Sequence, residues 1–146
     1  MTVALSGKEI ADKLEKQFPG SIVESSPDSI VINSDSLLKI VTFLKDTEGF
    51  DFDYLAAITA VDYFDYFELV YQLTSLKHNH GLVVKTRIYN RGNPALPSVT
   101  GLWRGADFQE REIYDLMGIK FSGHPKMKRI FLWEGFEGHP LRKDYL

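Results

Sequence analysis

Apolar and polar positions along the chain change period several times, and each change marks an element. Ile10, Leu14 and Phe18, with Ala11, recur at helical spacing and form one apolar stripe of a first helix. Ser6 to Glu9 supplies its start as a capping box, because the Ser6 hydroxyl can accept from the Glu9 amide while the Glu9 side chain reaches back. Pro19-Gly20 ends it. Ser21 to Glu24 and Ser29 to Ile32 are short β-branched runs divided by Ser-Pro-Asp, which predicts a hairpin. Ser34-Asp35 then caps a second helix, in which Leu37, Leu38, Val41 and Leu44 keep helical spacing up to about Asp46.

Tyr54 to Val61 is almost continuously apolar, the pattern of a strand buried on both faces. Phe67, Leu69, Tyr71 and Leu73 alternate with polar positions, as do Leu82, Val84, Thr86 and Ile88, so each predicts a strand with one core face. The Lys77 to Gly81 turn is short enough to make these two strands an antiparallel hairpin. After a loop at Asn90 to Pro94, Asp107 is the expected cap of a helix from Phe108 to Met117, with Gly118 at its left-handed end. Beyond Gly118, aromatic, basic, Gly and Pro residues mix without a period, which predicts an extended arm with at most short strands. The order predicts an α+β fold, a mostly antiparallel sheet covered by helices. Residues 1–107 are expected to form the α+β domain, and residues 108–146 a helix and C-terminal docking arm in the same structural unit.

Composition narrows the chemistry. At 146 residues, with 44% hydrophobic and 25% charged residues, the chain is long enough to bury one core. It has no cysteine, which excludes a disulfide framework, a thiolate zinc site, a Cys nucleophile and a cluster ligated by its own thiolates. No apolar run reaches membrane-spanning length and residues 1–20 lack a signal-peptide pattern, so a soluble, cytoplasmic chain is expected. The net charge of −3 is uneven: Asp46 to Glu68 holds seven acids and no base, whereas His124 to Leu146 holds five bases and three acids.

On a helical wheel Glu110 falls among Ile113, Tyr114, Leu116 and Met117, which aims a carboxylate at an apolar face. Such a carboxylate needs a partner or a proton; Arg129, Arg142 and Lys143 are the candidate partners. Arg111, Glu112 and Asp115 lie on the other side, where Arg111 and Asp115 are spaced to pair or form a solvated face. Phe131, Trp133, Phe136 and Tyr145 are the residue type that anchors protein interfaces, with Arg142 as a fork for carboxylates; Phe131 and Trp133 equally suit this domain's own core. Glu134, Glu137 and Asp144 among the bases argue against nucleic acid. Glu110, Glu112, Asp115, His124 and His139 form the enzymatic alternative, a small acid/base or metal hydrolase, but no His-Glu-x-x-His, nucleophile elbow, phosphate loop or dinucleotide fingerprint accompanies them.

The segment from Glu110, Arg111, Glu112, Tyr114, Asp115 and Gly118 to Phe121, followed by Gly123, His124, Pro125 and Arg129, and then Pro140, Leu141, Arg142, Lys143, Asp144 and Tyr145, resembles the signature of the C-type (30 kDa) family of respiratory complex I, the NADH:quinone oxidoreductase. Leu102, Trp103 and Ala106 before it resemble that family too. The resemblance implies a peripheral subunit with no catalytic, cofactor or metal site of its own. It implies packing chiefly against the D subunit and beside iron–sulfur subunits, with the signature residues and Trp133 at the interface. NADH, FMN, iron–sulfur clusters and quinone would belong to the parent complex, which passes electrons to quinone, translocates protons and lies on the cytoplasmic side of the cell membrane. The equivalent subunit of a related membrane-bound hydrogenase or other quinone reductase is the alternative.

Overall fold

The computed structural model describes residues 3–4, 6–130, 132 and 137–143. Helix α1 (Gly7–Gln17) starts where the capping box predicts, with Ser6 Oγ 3.5 Å from the Glu9 amide nitrogen, and buries Ile10, Ala11 and Leu14. Strands β2 (Ile22–Ser25) and β3 (Ser29–Ile32) form the expected antiparallel hairpin. Ser34–Ser36 winds into a 3-10 turn before α2 (Leu37–Asp46), so the polar pair shapes the approach and leaves the helix without a side-chain cap. Ile40 takes the inward place the spacing assigned to Leu38, which is 42% exposed.

Strands β4 (Tyr54–Asp62), β5 (Phe67–Ser75) and β6 (His80–Ile88) follow as an antiparallel meander. The sheet order is β2-β3-β6-β5-β4, and β1 (Val3–Ala4) runs parallel to β6 at His80 and Gly81, beside the parallel β3–β6 pairing. The fold is therefore α+β with a mostly antiparallel sheet. Its core joins Ile10 and Leu14 of α1, Leu37, Ile40 and Leu44 of α2, and the inward residues Phe67, Leu69, Tyr71, Leu82 and Val84.

The expectation for Tyr54 to Val61 needs correction. β4 is an edge strand with one open face, on which Tyr54 and Val61 are exposed. A register shift between Leu55 and Ala57 lets Leu55 and Ile58, three residues apart, both face the core. Ala and Thr dominate the open face, and such short side chains make an exposed strand read as a buried one.

After β6 the chain makes a small βαβ unit that the periodicity did not predict. β7 (Ala95–Pro97) leads to α3 (Ala106–Met117), and β8 (Lys120–Ser122) returns parallel to β7. Leu96, Val99, Ile119 and Phe121 seal this unit to the core. It also fixes α3 beside β4, where Gln109 Oε1 accepts the Ile58 amide at 2.6 Å.

Candidate functional site

Because β7 ends immediately before Ser98, residues 98 and 99 arrive beneath the first turns of α3. The Ser98 hydroxyl donates to Glu110 Oε1 at 2.6 Å and the Val99 amide to Oε2 at 2.8 Å. Glu110 is fully buried, and that burial pushes its carboxyl above the usual range, opposed by these two donors. The buried Tyr71 phenol is also pushed up, chiefly by burial and further by the charge of Glu110. The expectation that Glu110 pairs with Arg129, Arg142 or Lys143 is thus corrected: its donors come from the β7–α3 connection, and the arm's cations go elsewhere.

Arg129 goes to Asp115, Arg142 to the Arg91 carbonyl, and Lys143 meets Asp62 through its backbone amide. Asp115, read from the sequence as part of a solvated face or an Arg111 pair, is fully buried. Its Oδ2 accepts the amides of Ile130 at 3.1 Å and Leu132 at 3.0 Å, while Arg129 Nε stands 3.2 Å from Oδ1. Arg111 turns to the arm's backbone, donating to the Lys128 and Arg129 carbonyls. A helical carboxylate and a helical guanidinium one turn apart thus grip successive residues of the same arm segment.

The returning segment, residues 137–143, completes the C-terminus of α3, whose last carbonyls lack helical partners. His139 Nδ1 lies 3.0 Å from the Asp115 carbonyl oxygen, the Leu141 amide donates to the Leu116 carbonyl at 2.9 Å, and Arg129 Nη2 donates to the Gly138 carbonyl at 2.6 Å. Gly118 serves this arrangement twice. Its φ of +76° ends the helix in the left-handed region, and a Cβ there would sit 2.7 Å from the His139 ring. Gly118→Ala is therefore expected to cost about 1–2 kcal/mol from backbone conformation alone. It should also dislodge His139, so urea unfolding and the His139 ring resonances should both shift.

Farther along, Asp62 at the end of β4 forms a second anchor. Arg91 holds it bidentately at 2.6 and 3.0 Å, and the Lys143 amide donates to Oδ2 at 2.9 Å. The Arg91 guanidinium holds the Asp62 carboxyl well below the usual carboxylate range. Arg142 lies over the Phe67 ring and donates to the Arg91 carbonyl at 3.0 Å.

His124, with its side chain fully buried, accepts the Lys126 amide on Nδ1, which places its ring proton on Nε2, 3.0 Å from Asp107 Oδ1. Asp107 is therefore not the helix cap expected of it; Gly105 occupies that place. Phe121 is buried in the core, Gly123 turns the chain at φ +84°, and Pro125 is exposed. Tyr114 packs its ring 6.0 Å from that of His139, followed by Pro140 and by Leu141, which is 59% exposed. Glu112 faces outward. Phe131, Trp133, Phe136, Asp144 and Tyr145 lie outside the described residues.

The five residues of the hydrolase alternative are not brought together. Glu110 binds the β7–α3 connection, His124 lies against Asp107, and His139 reaches Asp115 only at its backbone carbonyl; among the described residues no three His, Asp or Glu side chains are grouped to hold a metal. Sequence reasoning missed Ser98, Val99, Asp62 and Arg91. Asp62 was visible only as one member of an acidic stretch, and no local pattern marked the other three.

A model of the family described as Respiratory-chain NADH dehydrogenase, 30 Kd subunit matches residues 30–146. The chain is 44% identical to the C subunit of the NADH-quinone oxidoreductase of Moorella thermoacetica over 91% of this chain and 90% of that one. It is 46% identical to the C/D subunit of the NADH-quinone oxidoreductase of Phocaeicola vulgatus over 70% of this chain and 20% of that much longer one. Among solved structures it is similar to a chain of the membrane-bound sulfane sulfur reductase, an archaeal respiratory membrane complex, with a TM-score of 0.76, 26% identity, and coverage of 95% of this chain and 85% of that one. The residues that the fold gathers around α3 lie within the matched span, and the chain belongs to the 30 kDa subunit family of the respiratory-chain NADH dehydrogenase.

Proposed function

We propose that this chain is a peripheral subunit of a complex-I-like NADH:quinone oxidoreductase that carries no redox cofactor itself and docks on the D subunit through α3 and the arm. In that role it supports electron transfer to quinone coupled to proton translocation, and is held at the cytoplasmic face of the membrane by the assembly. NADH, FMN, iron–sulfur clusters and quinone are then handled by other subunits, some of them its neighbours. The observation that carries the docking reading is the Phocaeicola relative, whose name joins C and D in one chain. Two subunits made as one polypeptide must lie within reach of each other. The division of labour around α3 suits this role: Arg111, Asp115, Arg129 and Gly118 set the arm's course, leaving Glu112, Leu141 and Lys143 at the surface. The likeness to a sulfane sulfur reductase chain favours a second reading, the equivalent subunit of a sister respiratory complex with another electron donor.

Arg142→Ala and Lys143→Ala test the docking. Arg142 holds the Arg91 carbonyl and covers Phe67, whereas Lys143 makes its Asp62 contact through a backbone amide that Ala retains. Arg142→Ala should therefore reduce co-purification of the D subunit from native membranes more than Lys143→Ala does. Wild-type recovery with both variants would remove the arm from the interface.

A further inference from the structure

The signature helix carries three carboxylates in its second half and centre, Glu110, Glu112 and Asp115, and the fold consumes two of them internally. Glu112 is exposed and makes no hydrogen bond or ion pair among the described residues. It stands at the rim of a groove of about 170 Å³ between α3 and the β4 edge, whose apolar lining includes Leu116, Met117 and the half-exposed Leu141. The third wall of the groove is the β4 edge from Ile58 to Ala60. Since the Ile58 amide turns away from β5 to reach Gln109, the alternation of an antiparallel ladder makes Ala60, two residues on, present its amide and carbonyl to the same outer edge. Gln109 blocks the edge at Ile58, while Ala60 lines the groove.

An open strand edge, an apolar trough and an unpaired carboxylate together specify one kind of occupant. The geometry points to this groove as the seat of an extended segment of a partner subunit, pairing its backbone with Ala60, placing an aliphatic side chain against Leu116 and Leu141, and setting a Lys or Arg against Glu112. The inference rests on the docking reading above, because Leu141, which lines the groove, belongs to the arm and directly precedes Arg142. It adds a second contact whose recognition is backbone pairing and one charge.

Hydrogen exchange of the peptide containing Ala60 tests it, compared between the isolated full chain and the chain within the respiratory complex purified from native membranes. Exchange in the complex should be slower by on the order of tenfold or more. Glu112→Lys should weaken association with the complex by on the order of tenfold or more, by setting like charges together. It should leave the unfolding midpoint of the isolated chain unchanged, since Glu112 is exposed and makes no hydrogen bond or ion pair among the described residues. Unaltered exchange at Ala60 on assembly would overturn the inference. Protection already present in the isolated chain would overturn it as well, by assigning the groove to this chain's own residues, and protection that grows with the isolated chain's concentration would assign it to a second copy. Normal assembly of Glu112→Lys, alongside loss of the D subunit with Arg142→Ala, would remove this contact and leave the docking reading standing.

Discussion

Asp115→Ala is expected to lower the unfolding free energy of this chain by about 3–5 kcal/mol, the range for removing one member of a buried ionic pair. Two backbone amides and a guanidinium converge on this carboxylate, and the Arg129 side chain is only 13% exposed. Ala leaves these donors facing a small cavity, with no room for the arm to find other acceptors without lifting from α3. Asn restores one oxygen to the Ile130 and Leu132 amides but not the charge opposite Arg129, so it should recover part of the loss. Urea unfolding gives the magnitude. Exchange at Ile130 and Leu132 separates a loosened arm from general destabilisation, since those amides should speed up before the sheet does. If stability fell while both amides stayed protected relative to the sheet, Asp115 would be acting through the helix alone.

Glu110 gives the second large effect, and its sign depends on the replacement. Ala deletes the acceptor of the Ser98 hydroxyl and the Val99 amide and opens a cavity in the core, at a cost of about 3–4 kcal/mol. Gln keeps the volume and an acceptor for Val99 while removing a buried charge, so at pH 7 it should stay within about 1 kcal/mol of wild type. The pH dependence then isolates the Glu110 carboxyl. Burial raises the folded-state pKa of Glu110 above its ordinary value of 4.5, so between that raised value and 4.5 the folded chain takes up a proton that the unfolded chain does not. Protonation stabilises the fold over that window. Wild type should therefore gain stability over Glu110→Gln as pH falls from 7 toward 4.5, and urea titrations at successive pH values read the difference. A difference that shrank on acidification would mean that Glu110 is held charged by a partner.

Much of the fold was legible because its signals are local. The Ser6 cap, the alternation of Phe67 to Leu73 and Leu82 to Ile88, and the Gly118 terminus all act within a few residues, and the structure follows them. Glu110 could be recognised as buried from the wheel alone. Its donors could not, because Ser98 and Val99 come into place only when β7 and β8 pair around the helix. Asp115 was misread for a related reason. A helical face is solvated only if nothing later covers it, and here a segment with no periodicity of its own does so. Asp62 looked like one surface acid among seven, since only the topology brings Arg91 and Lys143 to the end of β4.

The Asp62 anchor also has a timetable. Its first partner, Arg91, is 29 residues downstream, whereas the Lys143 amide is 81 residues away. At ribosomal rates of about 5–20 residues per second, the second contact cannot form until roughly 4–16 s after Asp62 is made. During synthesis the meander and its Arg91 pair can therefore consolidate while the C-terminal end of α3 and the outlet of β4 are still bare. The newborn chain passes through a stage in which a partner could reach these places before the arm does, so the order in which subunits are translated bears on which contact closes first.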